Sequence, residues 1–253
     1  MRINGPVISV FMFVIFLLNS SLAEAEQSKG TVLVAGATGS IGRIVIKLLK
    51  DDGYAVRAMT RNPDQAAERY GTGYQWVRGD VRDPAELDPV MDGVDWLICS
   101  IGYTEFEGAN SAQFVDYMGV RNLVDAAKDH GVKHFVLVSA SSAGPYRDHT
   151  QNPRFGYVAY WKTKGEQHLK DSGLSFTIVG PGGYMDAPAG VKGVRIFPRS
   201  EFSMGYIGRA DVAAIVVASL TDPDARNKAF AAQSDDSVEP GAWRDAFSAL
   251  QPE

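Results

Sequence analysis

The sequence predicts one α/β domain, a doubly wound parallel sheet with a small substrate-side region at its C-terminal end. Two observations carry this. Short, continuously apolar runs alternate with amphipathic segments of helix length from residue 30 onward, the pattern of a parallel sheet covered on both faces. A glycine-rich turn joins the first apolar run to the first amphipathic segment. The chain has 253 residues, 45% of them apolar and 22% charged, which suits a single domain with a sizeable core.

The elements follow in order. "TVLVAG" reads as a buried strand and "GRIVIKLLKDDG" as a helix closed by Gly53. "AVRAMT", "YQWVRGD" and "DWLICSIG" are the second, third and fourth strands, and "SAQFVDYMGVRNLVDAAKDHG" is one long helix. "KHFVLVSASS" is the fifth strand, "YVAYWKTKGEQHLKDSG" a helix, and "SFTIVGPGG" the sixth strand. The stretch 186–206 is rich in glycine and proline and is expected to be a loop over one end of the sheet. "RADVAAIVVASLTD" is a further helix, "KAFAAQS" a last strand and "GAWRDAFSAL" a terminal helix.

The first 25 residues differ from the rest. One positive charge in "MRIN" precedes the apolar run "VISVFMFVIFLL", and "AEA" supplies a small-x-small pattern before Glu26. A nearly all-apolar run of twelve residues is short for a membrane span, so the segment reads as a secretory signal peptide over 1–25. The domain would then occupy 26–253, periplasmic or secreted, with no stable membrane domain once the leader is cut. An uncleaved N-terminal anchor is the alternative. The net charge is −5 and there is no lysine or arginine run, which argues against a nucleic-acid partner. Cys99 is the sole cysteine and reads as a core thiol. His130, His134, His149 and His168 are scattered and suggest no metal site.

"VLVAGATGSIGR" places Gly36, Gly39 and Gly42 between strand and helix. Gly36 would turn the chain off the strand, Gly39 would let backbone approach a pyrophosphate, and Gly42 would permit close packing of the helix. The helix N-terminus then offers free N–H groups and a partial positive charge to an anion. Gly36, Thr38, Gly39, Ser40, Ile41, Gly42 and Arg43 are thus expected around a dinucleotide. At the end of the second strand, where an NAD site places an acid, stands Arg61, and the first acid is Asp64. A guanidinium matches a phosphate dianion in geometry and charge, so Arg61 with Arg43 favours NADP(H) over NAD(H).

The G-x-x-G-x-x-G spacing resembles the atypical branch of the short-chain dehydrogenase/reductase superfamily, and the likeness extends over roughly residues 30–235. "GDVRD" is similar to its adenine-contacting segment, which implies Asp80 and Val81 as cofactor contacts. "ICSIG" resembles the end of strand four beside the adenine ribose and implies Ser100, Ile101 and Gly102. "SGLSFTIVGPGG" and "RADVA" resemble its sixth strand and late helix. The nearest group is the NmrA-like, NAD(P)H-binding proteins, with a Rossmann-type fold. One departure is Gly180, where that group often has arginine.

The helix "YVAYWKTKGEQHLKDSG" contains a literal Tyr160–Lys164 pair at the spacing of catalytic pairs in many reductases. On a helical wheel, however, Val158, Trp161, Lys162, Gly165 and Leu169 share about 100° of one face, with Tyr160, Thr163, Lys164, Gln167 and Asp171 opposite. The apolar face must meet the sheet, so Lys162 is expected inward and the literal pair in water. The resemblance agrees, since "WKTKGE" is similar to a W-K-x-x-G-E helix whose first lysine is functional and would hold the nicotinamide ribose. The residue one turn before Lys162, where a phenol would serve as acid, is Val158. Tyr103 and Tyr184 follow strand ends and are candidates for the missing acid. Ser139, Ser141 and Ser142 close strand five, and one is expected to polarise a substrate carbonyl. Tyr117 and Met118 read as packing residues.

These features predict an NADP(H)-dependent oxidoreductase acting on a small carbonyl or conjugated small-molecule substrate. A non-catalytic NADP(H)-binding sensor or assembly factor is the alternative, fed by the missing phenol. Sugar-nucleotide epimerisation fits less well, because little chain remains after strand six for a substrate domain. The pattern leaves the oligomeric state open.

Overall fold

A computed structural model describes residues 28–146, 148 and 157–252. The expected leader, and with it the exported location, lies outside the described residues. Strands β1 (Thr31–Ala35), β2 (Ala55–Thr60), β3 (Gln75–Arg78), β4 (Trp96–Cys99), β5 (His134–Val138) and β6 (Phe176–Pro181) run parallel with β10 (Lys228–Ser234). The order across the sheet is β3-β2-β1-β4-β5-β6-β10, with β8 (Val194–Phe197) at the edge beyond β10. The order reverses between β1 and β4, and that switch point opens a crevice at the C-terminal strand ends.

The helices are α1 (Gly42–Asp51), α2 (Pro63–Tyr70), α3 (Pro84–Met91), α4 (Val120–Asp129), α5 (Val158–Asp171), α6 (Arg209–Ala218) and α7 (Trp243–Ala246). Alternation along β1 shows why both faces are covered. Val32 and Val34 join Ile46 and Leu49 of α1, Val212 and Val216 of α6 and Trp243 of α7 in one core. Leu33 and Ala35 join Leu87 of α3, Leu123 of α4 and Leu169 of α5 in the other. Burying a side chain such as Leu49 or Leu123, both at 0% exposure, contributes about 1.5–3 kcal/mol. Among the described residues no helix is long and apolar enough to cross a membrane.

Three departures from the sequence reading bear on the site. The stretch 186–206 is not all loop. Val194–Phe197 forms β8, antiparallel to β10 at the sheet edge, and Tyr206–Gly208 forms β9, which pairs with β7 (Gly183–Met185) in a small second sheet. Gly193 there is a packing residue, since a Cβ on it would fall 1.6 Å from the Val238 carbonyl oxygen. The long helix before β5 is two pieces, a π-helical turn over Gln113–Gly119 running into α4. The terminal helix is a four-residue α-helix followed by a 3-10 turn at Phe247–Ala249.

Candidate functional site

The loop between β1 and α1 has glycine where nothing else fits. Gly36 has φ +87°, and a Cβ there would sit 2.8 Å from the Ser100 carbonyl group at the end of β4. A Cβ on Gly42 would fall 2.1 Å from the Gly36 oxygen, and one on Gly39 would lie 3.1 Å from the same atom. Gly42 therefore serves the loop's own closure more than helix–sheet packing. No side chain caps the α1 N-terminus and no acid lies in its first turn, so its partial positive charge faces the cleft uncompensated. This cradle fits a dinucleotide's anionic centre.

The cleft above the loop has a volume of about 460 Å³. Gly36, Thr38 and Gly39 line one wall, Asp80 and Val81 another, and Ser100, Ile101 and Gly102 the β4 side. Arg61 closes the outer end with Arg69 and Tyr70 of α2. Ser40 and Arg43 face a neighbouring concavity, while Ile41 and Gly42 are buried in the turn. Arg43 and Arg69 both stack on Tyr70, with guanidinium carbons 5.6 and 5.4 Å from the ring centroid.

The adenine-side residues are already engaged with each other. Arg82 Nε donates to Asp80 Oδ1 at 2.9 Å, and this guanidinium holds the Asp80 carboxyl below the usual carboxylate range. Asn110 Oδ1 accepts from both Arg82 (3.0 Å) and Arg61 (3.2 Å), bridging the ends of β2 and β3. Sequence reasoning missed Arg82 and Asn110; the arginine lay within the quoted "GDVRD", but its role depends on a loop 28 residues away.

Lys162 is where the wheel put it. Its Nζ lies 2.6 Å from Asp116 Oδ1, a carboxylate with a fully buried side chain. The contact is an ion pair off the direction of a hydrogen bond to that oxygen. The other oxygen, Oδ2, accepts from the Tyr103 amide at 2.9 Å. Burial works against the Lys162 ammonium, but attraction to Asp116 outweighs it and raises the pKa. Gly165 makes the approach possible, because a Cβ there would meet the Asp116 carbonyl oxygen at 2.6 Å. Sequence reasoning missed Asp116, although a signal existed. Asp116, Val120, Leu123 and Ala127 repeat at helical spacing and all are buried, so an acid stood on a buried face. Its π-helical setting is a frequent mark of functional sites.

The literal pair lies elsewhere. Lys164 is exposed, and its Nζ hovers 5.6 Å over the Tyr160 ring. Thr163 departs from the expected wet face, since its hydroxyl accepts from the Gly144 amide at 2.8 Å. Tyr184, on β7, is 40% exposed, and the Arg209 guanidinium carbon lies 5.3 Å from its ring centroid. Burial pushes the Tyr184 phenol up, and the opposing pull of Lys162 and Arg209 does not reverse it. Tyr103 packs against Phe106, with the ring centroids 5.9 Å apart and the planes tilted by 44°. Cys99 is buried and its thiol is pushed up to about 12 by desolvation, so it stays protonated.

Of the strand-five serines, Ser139 and Ser141 are buried. Ser139 donates to Glu166 Oε1, and Arg199 Nη1 donates to the same oxygen at 2.7 Å. Ser141 is 4% exposed and its amide donates to the Pro181 carbonyl; Ser142 is half-buried. Arg199 comes from the 3-10 turn after β8, and its Cδ would stand 3.0 Å from a Cβ on Gly180. Glycine at 180 thus leaves room for a guanidinium supplied from another segment.

A mostly parallel sheet with a glycine cradle at its switch point defines a Rossmann-type nucleotide-binding protein. Residues 36–223 match the NAD(P)H-binding family model, and the chain belongs to that family, within the atypical, NmrA-like short-chain dehydrogenases/reductases. It is 33% identical to sanguinarine reductase of Eschscholzia californica over 81% of this chain and 90% of that protein. It is 30% identical to the photosystem II assembly factor Ycf39 of Cyanophora paradoxa over 79% of this chain and 62% of that one. The oxidoreductase ylbE from Lactococcus lactis has the same fold, with a TM-score of 0.72 at 22% identity, over 87% of this chain and 96% of that one.

Proposed function

We propose that the chain is an NADP(H)-dependent oxidoreductase that reduces a small carbonyl or conjugated substrate. The observation that carries this is the buried Lys162–Asp116 pair, with a phenol, Tyr184, within its electrostatic reach. When bound, the reduced nicotinamide supplies a hydride. Asp116 keeps Lys162 charged and fixed, and Lys162 binds the ribose hydroxyls on the nicotinamide side. Tyr184 delivers a proton to the substrate oxygen as negative charge develops there, a role worth about 10²–10⁴ in rate. Arg61 and Arg69 line the adenosine end of the cleft with Tyr70, on which Arg43 also stacks, and none of the three arginines makes an ion pair among the described residues, which supports a 2′-phosphate and therefore NADP(H).

Purified protein titrated with NADPH and assayed on a carbonyl panel tests the reading. Lys162→Ala should weaken NADPH binding and abolish turnover, and Tyr184→Phe should lower turnover about 100-fold with binding kept. Tyr160→Phe and Lys164→Ala should change binding by no more than about 0.5 kcal/mol. The opposite pattern, with Tyr160→Phe inactive and Lys162→Ala healthy, refutes it. A non-catalytic NADP(H)-binding protein is the second reading, favoured by Val158 in the phenol position and by the assembly-factor relative. Tight NADPH binding with no turnover on any carbonyl would put it first.

A further inference from the structure

Exposed apolar side chains are ordinary when scattered and informative when they gather. Among the described residues eight large hydrophobic side chains are exposed, and all of them lie in three connections. Phe106 and Phe114 follow β4, Tyr146 and Tyr157 follow β5, and Tyr184 and Tyr206 follow β6, as do the two aliphatic ones. Not one stands within α1 to α7. Connections that run from parallel strands to their helices lie at the carboxyl edge of the sheet, where ligands bind. None of the eight lines the cleft ascribed to the cofactor, so the cofactor leaves this rim without a task.

Two of these rings connect to the Lys162–Asp116 pair from separate segments. Phe106 packs on Tyr103, whose amide donates to Asp116 Oδ2. Tyr206 pairs with Gly183 across the β7–β9 sheet, and a Cβ on Gly183 would fall 2.7 Å from the Tyr206 Cδ1. Glycine at 183 therefore clears the space that the Tyr206 ring occupies, and the ring rests on backbone while staying 56% exposed. The next residue, Tyr184, is an electrostatic neighbour of Lys162. A third pair, Tyr117 and Trp161, stacks with planes 19° apart, and these two adjoin Asp116 and Lys162 in the chain. Six of the eight exposed side chains are aromatic. Flat π-faces take a flat π-ligand in offset or edge-on geometry, and a ring already held in place loses little freedom when it does so.

We infer that this aromatic rim binds a flat, polycyclic, conjugated substrate, with Phe106 and Tyr206 supplying stacking surfaces for it. The inference rests on the reductase reading and selects the conjugated substrate over the small carbonyl compound, which has no ring to set against these faces. Continuity with the Lys162–Asp116 pair favours a small molecule over a protein surface, because an occupant that reaches the pair reaches the reacting groups.

The test compares the full chain, wild type, with Phe106→Ala, Tyr206→Ala, Tyr206→Leu and Tyr206→Phe, each checked for an unchanged unfolding midpoint. Acridine, flat and fluorescent, is titrated with and without saturating NADP⁺, and camphor, bulky but not flat, competes against it. The expected result is that NADP⁺ leaves acridine bound and camphor competes at least tenfold less well than unlabelled anthracene-2-carboxamide, a second flat probe. Phe106→Ala, Tyr206→Ala and Tyr206→Leu weaken acridine fivefold or more, Tyr206→Phe stays within twofold, and NADPH affinity stays within twofold in every variant. Displacement of acridine by NADP⁺, with the rim variants unchanged, would put the probe in the cofactor cleft and overturn the inference. Tyr206→Leu at wild-type strength overturns it too, since apolar area would then suffice without a flat face. So does a wild type that binds no acridine; a wild-type dimer that Tyr206→Ala dissociates would in that case assign the rim to a second copy of the chain. If wild type binds no NADPH, or binds it and reduces no 9,10-phenanthrenequinone, the reductase reading falls by itself. The acridine losses in Phe106→Ala and Tyr206→Ala then still support the ligand class of the rim, and unaltered acridine binding ends it.

Discussion

Gly165→Ala sets two effects of known size against each other. In an exposed helix the change would be favourable, since alanine is about 1 kcal/mol better than glycine in a helix interior. At 165 the new methyl would fall 2.6 Å from the Asp116 carbonyl oxygen and 3.2–3.3 Å from two Val120 carbons. The first of these must open by roughly 0.8 Å to reach ordinary contact. The obstacle is backbone of the π-helical turn, not the tip of a flexible side chain, so α5 has to move. Overpacking of this kind costs about 1–3 kcal/mol, which outweighs the propensity gain and leaves a net loss of about 1 kcal/mol. The same retreat carries Lys162 away from Asp116, now 2.6 Å distant, so NADPH affinity should fall with stability. Denaturant unfolding and NADPH titration of the variant measure both. A variant as stable as wild type, or more so, with unchanged NADPH affinity would refute the close-packing argument and the claim that Gly165 sets the Lys162–Asp116 distance.

Two further outcomes are expected. Arg61→Ala should lose about 1.5–3 kcal/mol of NADPH affinity, roughly 10- to 100-fold, and little NADH affinity, by titration of both cofactors; equal wild-type affinities would remove the NADP(H) preference. His134 is buried against Ser175 and Thr177, and burial, with Arg226 as a lesser cause, pushes its pKa down to about 4. Between about pH 6.5 and 4 the unfolded chain therefore binds a proton that the folded chain refuses. Stability should be complete above that window and fall through it, by up to about 3 kcal/mol. His134→Gln should flatten this part of the stability–pH curve, and an unchanged acid slope would show that His134 is not its source.

Most of the fold was legible because its signals are local. Each parallel strand is buried on both faces and so reads as an uninterrupted apolar run, and α1 carries its glycine cradle immediately before it. The short α2 and α3 escaped notice because eight residues give barely two helical turns; in α2 only Ala66 is buried, so little periodicity exists to find. β8 was hidden for a different reason. Four residues pairing with β10 at the sheet edge acquire their strand geometry from a partner more than 30 residues away, and the neighbouring glycines and prolines looked like loop.

The site divides along the same line. Lys162 could be placed because helical phase is a local property, and its burial follows from the apolar residues that share its face. What holds Lys162 and α5 could not be placed so easily. Asp116 and Glu166 were nonetheless visible in part, because both are acids on faces that the periodicity marks as buried, and a buried acid must find a cation or pay heavily in desolvation. Which cation each finds is tertiary information: Glu166 takes Arg199 from a turn 33 residues on, into space that Gly180 leaves open. Val158 is the informative absence. Losing the phenol at that position would leave a bare lysine, yet the fold brings Tyr184 within electrostatic reach of Lys162, on a three-residue strand paired with β9. On the reductase reading proposed above, the proton donor has moved to another segment of the chain, and the choice between reductase and non-catalytic binder rests on Tyr184 rather than on the helix motif.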